Sequence, residues 1–132
     1  MKKINVVGAV IFNDNSEVLC ALRSQSMSLP GMWEFPGGKI ETGETPQQSL
    51  IREIQEELDC TIEVSELIAD ATHEYPTVIV RLITYRSAII QGTPVPKEHE
   101  KLIWLPLTEL DSLNWAPADI PTIHELKKYI SA

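Results

Sequence analysis

One stretch limits the fold more than any other, residues 37–60, GGKIETGETPQQSLIREIQEELDC. It opens on a glycine pair read as a turn, and Thr45-Pro46-Gln47-Gln48 then announces a helix. Thr45 is suited to cap it and Pro46 to the first helical position, where the missing N–H is not needed. Gln48 can reach back to complete a capping box. The helix is expected to run to about Leu58 and to stop at Asp59, a residue that tolerates the left-handed backbone common at helix ends. At about 100° per residue its faces differ. Leu50, Ile51, Ile54 and Leu58 share an apolar arc that must pack against another layer. Glu53, Glu56 and Glu57 share an acidic one.

Three carboxylates at i, i+3 and i+4 repel one another by a few tenths of a kcal/mol per pair on a solvated helix. They are a poor choice for helix stability unless a cation sits among them. Hard oxygen ligands on a rigid surface suit Mg²⁺, with Mn²⁺ as a substitute, above all where a phosphate brings further oxygens. Taken alone, EIQEE is better read as a solvated acidic face with Arg52 and Lys39 as casual partners.

The spacing is more specific than that. Gly38, five residues, Glu44, seven residues, then Arg52-Glu53-Ile54-Gln55-Glu56-Glu57 resembles the Nudix box, G-x5-E-x7-R-E-U-x-E-E-x-G-U with U aliphatic. Asp59 stands where the box has Gly and Cys60 where it has an aliphatic residue. Neither departure removes a ligand. The box occupies about residues 38–59, and the chain is identified as a MutT-like member of the Nudix superfamily.

The rest of the chain reads as strands around that helix. Residues 4–12 and 17–23 are β-rich, and Asn13-Asp14-Asn15-Ser16 between them has turn chemistry, so a hairpin is expected. Residues 24–32 read as a loop, followed by Trp33-Glu34-Phe35-Pro36. Strands are expected at 62–64, 67–75, 78–90 and 102–105. A closing helix to about Ile130 would bury Ile120, Ile123, Leu126 and Ile130. Asp119 has a ready explanation as its N-cap. His99 reads as a surface residue with no ligand-spaced partner. The sum is an α/β fold, and by resemblance the Nudix α/β/α sandwich with a mixed sheet.

Bulk properties exclude several classes. The 132 residues, 43% hydrophobic and 23% charged, suit a single domain spanning 1–132. A net charge of −8 leaves no basic surface for a nucleic-acid polymer. A small polyphosphate remains open to an acidic chain if metal ions and a few Lys or Arg reverse the local field. No apolar run reaches membrane-spanning length, and Met1-Lys2-Lys3 leads into a strand rather than a signal peptide. Cys20 and Cys60 lack metal spacing and are expected reduced and buried, consistent with a cytoplasmic location.

The resemblance implies a function and a site. MutT-type enzymes hydrolyse nucleoside triphosphates to the monophosphate and pyrophosphate, and some sanitise oxidised guanine nucleotides. It implies Mg²⁺ held by Glu53, Glu56, Glu57, the Gly37 carbonyl and the loop residue Glu98. Glu53, then Glu98, would handle the proton of the attacking water, with Arg52 orienting the glutamates by ion pairing and Glu44 supporting the loop or the water network. Arg23 and Lys39 resemble phosphate contacts, and Glu34, Phe35 and Pro36 border the base pocket. Asp119 stands where the oxidised-guanine enzymes carry Asn, inside a segment, APADIP, that also resembles CTP pyrophosphohydrolases. A carboxylate only accepts, so guanine and cytosine amines both fit it. The expected substrate is 8-oxo-dGTP, with CTP or modified dCTP second. A non-catalytic nucleotide-binding module is the reading of another class.

Overall fold

The computed structural model describes residues 1–130. Helix α1 (Pro46–Leu58) forms where the local chemistry places it. Thr45 accepts from the Gln48 N–H, the Gln48 side chain accepts from the Thr45 N–H, and Asp59 ends the helix at φ 56° in the left-handed region.

Four strands, β1 (Lys2–Ile11), β4 (Gly37–Lys39), β5 (Thr61–Glu74) and β6 (Val78–Gln91), make a mixed sheet in the order β4-β1-β6-β5. β1 runs parallel to β6, and both outer pairings are antiparallel. A second, antiparallel sheet has the order β3-β2-β7, from Trp33–Glu34, Glu17–Leu22 and Lys101–Pro106.

The expected β1–β2 hairpin does not form. β1 is a central strand whose two edges are taken by β4 and β6, so β2 has no edge to join. The turn chemistry at 13–16 instead carries the chain from one sheet to the other. Asn13 Oδ1 accepts from the N–H groups of Asn15 and Glu17, and Phe12–Val18 is the bridge across. The two short strands expected at 62–64 and 67–75 are one strand, β5, interrupted by irregularities at Val64/Leu67 and Leu67/Ala69.

Alternation along β1 divides the interior. Val7, Ala9 and Ile11 face one core with Leu50, Ile54 and Leu58 of α1. Val10 faces another, with Leu110, Trp115 and two residues of α2 (Ile120–Lys127), Ile123 and Leu126. Two apolar faces need two covers, which gives the α/β/α layering.

Both helices depart from the expected stripes at their margins. Ile51 is exposed and Ser49 is buried in its place, its hydroxyl satisfied by Glu44. Ile120 at the start of α2 is exposed, as is Ile130, which lies beyond the helix end at Lys127, while Thr122 is buried and its hydroxyl pairs with that of Thr84 at 2.9 Å. A 3-10 turn at Pro117–Asp119 leads into α2 and rotates its first residue outward. Asp119 makes no capping bond, so its expected role as N-cap is wrong.

The exposure difference on α1 sets an energetic contrast. Ile54→Ala should cost about 2–5 kcal/mol, whereas Ile51→Ala should stay within about 0.5 kcal/mol. Urea unfolding of the two variants measures it.

Candidate active site

The acidic side is built by the close approach of α1 to β4. Gly37 and Gly38 are not a turn, as expected from sequence, but extended strand paired with Gly8 and Val7. Their lack of a side chain serves proximity. A Cβ on Gly38 would lie 2.3 Å from the Glu53 carboxyl, and one on Gly37 would lie 1.9 Å from the Val7 carbonyl oxygen.

Arg52 organises the carboxylates beside them. Its Nε and Nη2 hold Glu44 at 2.8 and 2.9 Å, and Nη1 reaches Glu53 Oε1 at 2.8 Å and Glu56 Oε2 at 3.3 Å. Nη2 also donates to the Lys39 carbonyl, tying α1 to the end of β4. Glu44 takes a further hydrogen bond from Ser49, and its pKa is lowered to about 2, first by Arg52 and then by Ser49.

The three helix glutamates share a face but not an environment. Glu56 is solvated, and Glu53 is largely covered. Desolvation raises the Glu53 pKa, against the opposing pull of Arg52. Glu57 has a buried Oε2 with no hydrogen-bond partner. Burial first, then the charges of Glu53, Glu34 and Glu98, raise its pKa to about 9. Glu98 belongs to a segment pinned to the end of α1 by Val95 N–H to the Leu58 carbonyl and Lys97 N–H to the Glu57 carbonyl. The structure therefore brings the loop glutamate to the helix acids.

Glu57 opens onto a cleft of about 500 Å³, lined also by Gly37, Gly38 and Lys39 and, at the other end, by Arg23, Glu34, Phe35 and Asp119. Lys39 is exposed there and makes no ion pair among the described residues. Arg23, expected to be free for phosphate, is already engaged. Its Nη1 pairs with Glu34 Oε1 and its Nη2 donates to Ser28 Oγ at 2.8 Å. Phe35 is buried against Trp115, ring centroids 4.8 Å apart. Pro36 is buried with its carbonyl accepting from Ala9 N–H, beneath the cleft rather than on its wall.

Asp119 is 5% exposed, and its Oδ1 accepts from the Phe35 N–H at 3.0 Å. Among the described residues, Oδ1 is the Asp119 oxygen that takes a hydrogen bond. Burial, helped by the Glu34 charge, pushes the Asp119 pKa well above the usual carboxylate range. Two residues of this region escaped the sequence. Tyr75, whose hydroxyl accepts from the Ala118 N–H, lines the cleft. His99 is buried, not on the surface, and its Nε2 lies 2.7 Å from Glu34 Oε2. A histidine set in Lys-Glu-His-Glu-Lys carries no local signal of burial. A smaller cleft of about 310 Å³ beside Leu19, Pro94, Pro96 and Trp104 contains none of the expected site residues.

Among the described residues no three ligand-type side chains are already drawn into a closed metal cage. The donor set still fits a hard divalent cation. It is all oxygen, it is backed by a carbonyl-bearing strand, and it includes a buried, unpartnered carboxylate oxygen whose neighbours are like-charged.

Similarity to known proteins spans the chain. The NUDIX domain family model matches residues 2–126. The chain is 34% identical to the 8-oxo-dGTP diphosphatase of Escherichia coli (strain K12), over 97% of this chain and 99% of that one. It is 37% identical to the CTP pyrophosphohydrolase of the same organism, over 93% and 90%. Among solved structures, a MutT protein of the Nudix family from methicillin-resistant Staphylococcus aureus 252 aligns with a TM-score of 0.79 at 51% identity. That alignment covers 98% of this chain and 99% of the other.

The Glu57 environment sets a pH dependence for the metal-free protein. Its carboxyl binds a proton far more tightly folded, near 9, than at the ordinary value of 4.5. The folded state therefore holds the extra proton between those values, and stability falls as pH rises through that window. Glu57→Gln removes this term and should raise Tm at pH 8 in EDTA by about 5 °C, with little change at pH 4.5. Differential scanning fluorimetry across pH 4.5–9 reads the difference.

Proposed function

The chain belongs to the NUDIX domain family, and from that premise we propose that it hydrolyses 8-oxo-dGTP to the monophosphate and pyrophosphate, a nucleotide-pool sanitation activity. The observation that carries the reading is the buried Glu57 oxygen without a partner, set among like charges at the wall of a nucleotide-sized cleft. Relatives named for this activity and matched over nearly their full length support it.

Glu53, Glu56, Glu57 and Glu98, with the Gly37 carbonyl, would hold Mg²⁺, or Mn²⁺ in its place. When bound, the ion supplies neutralisation of the triphosphate and acidification of a water. The remaining work falls to the chain. Lys39 meets phosphate oxygens at the cleft rim. Glu53, whose proton affinity is raised by desolvation, takes or orients the proton of the attacking water, with Glu98 as the second candidate. Arg52 holds Glu53 and Glu56 at fixed angles, and Glu44 anchors Arg52. At the far end Asp119, fixed through Oδ1, presents Oδ2 to the base edge.

That same carboxylate also admits the second reading, a CTP or modified-dCTP pyrophosphohydrolase, since an acceptor suits an exocyclic amine of either base. The relative named CTP pyrophosphohydrolase supports it.

Two measurements test these assignments. Early in the reaction, pyrophosphate and nucleoside monophosphate should appear together without orthophosphate, as read by ion-exchange chromatography. Orthophosphate with a nucleoside diphosphate would contradict the reading. Asp119→Asn should shift the kcat/KM ranking among 8-oxo-dGTP, dGTP and CTP by about tenfold or more, because one acceptor position gains a donor. An unchanged ranking would remove Asp119 from base selection.

A further inference from the structure

The acids at the helix explain the hydrolytic end of the cleft but leave His99 without a task. His99 has a fully covered side chain, and its Nε2 meets Glu34 Oε2 at 2.7 Å. Glu34 Oε1 is taken by Arg23, so both carboxylate oxygens are spent within the protein. Arg23 in turn donates from Nε to the Ser28 carbonyl and from Nη2 to the Ser28 hydroxyl. An unbroken polar chain thus runs His99–Glu34–Arg23–Ser28, from the segment that carries Glu98 to the loop over the cleft.

The backbone holds both ends of this chain. Glu100 N–H donates to the Leu22 carbonyl, and Arg23 N–H donates to the Met32 carbonyl. A purely structural plug would not need an imidazole. An apolar side chain would fill the space without leaving Nδ1 buried and unpartnered, as it is here. Arg23, Ser28 and Glu34 all line the cleft, whereas His99 does not.

We propose that His99 is a positioning residue for nucleoside recognition, acting through Glu34 and Arg23 on the loop at Ser28. The proposal rests on the cleft being a nucleoside triphosphate site. It makes Glu34, expected only to border the base pocket, the link that fixes that pocket's surroundings. The His99 side chain does not line the cleft and meets Glu34 rather than the helix acids, so its effect falls on binding and selectivity rather than on the hydrolytic step.

The test compares His99→Gln, which keeps an N–H donor for Glu34, with His99→Met, which keeps volume alone. Both are measured for Kd with a non-hydrolysable nucleoside triphosphate analogue in Mg²⁺, and for kcat and KM. His99→Met should raise Kd and KM about tenfold or more, the loss of a charge-assisted hydrogen bond, with kcat within about threefold of the parent. His99→Gln should recover most of the loss. Arg23→Lys, which keeps the charge but not the fork to Ser28, should reproduce the rise and serves as the probe should His99→Met not fold. An unmoved Kd in the variants, equal weakness of Gln and Met, or a fall in kcat alone would overturn the proposal. If the parent binds the analogue but hydrolyses no nucleoside triphosphate, the functional reading fails while the Kd comparison still decides this one.

Discussion

Helix α1 can lie against β4 only because Gly38 has no side chain, and the acidic half of the molecule depends on that contact. The space a Cβ would need is filled by the Glu53 carboxyl. The same approach brings the Lys39 carbonyl within reach of Arg52 and sets Gly37 and Gly38 beside Glu57 at the cleft wall. A larger residue at position 38 would push the helix off the strand or the carboxyl out of the site. The backbone there is ordinary extended strand, so the requirement is one of space and not of conformational freedom.

Packing charged groups this closely creates an electrostatic problem that the structure resolves unevenly. One guanidinium serves Glu44, Glu53 and Glu56, and it is used with its planar fork. Glu57 lies beyond its reach. The burial that raises its proton affinity is stability forgone in the metal-free protein, and it is the kind of cost that functional sites impose and the rest of the fold must offset. Two covered apolar faces supply that reserve, since β1 is packed on both sides and joined on both edges.

The other half of the cleft rests on a different device. There the acids are buried in partnership. Glu34 is clamped between Arg23 and His99, and Asp119 receives the Phe35 N–H from across 84 residues of sequence. Charged groups hydrogen-bonded to one another in a covered setting hold their geometry, because a slip strands a donor or acceptor. The clamped end of the cleft and its acid-rich end are thereby joined by β3, β4 and the segment before β7.

Local chemistry was legible in the sequence. The capping box, the left-handed stop at Asp59 and the apolar arc of Leu50, Ile51, Ile54 and Leu58 depend on residues within a few positions of one another, and all stand as read but for Ile51, which is exposed. The NUDIX family and the mixed α/β fold were legible through the box that this helix carries. What sequence left undecided was settled by partners far along the chain. β1 and β2 have the alternation and turn of a hairpin, yet β6 takes the edge that β2 would need. Asp119 has the identity and position of an N-cap, yet the Phe35 N–H claims it. His99 looks solvated among charged neighbours, yet Glu34 draws it inside. Periodicity and capping report what a residue can do with its neighbours. Which strand edge is free, and which buried donor is unmatched, exist only once the sheets are assembled.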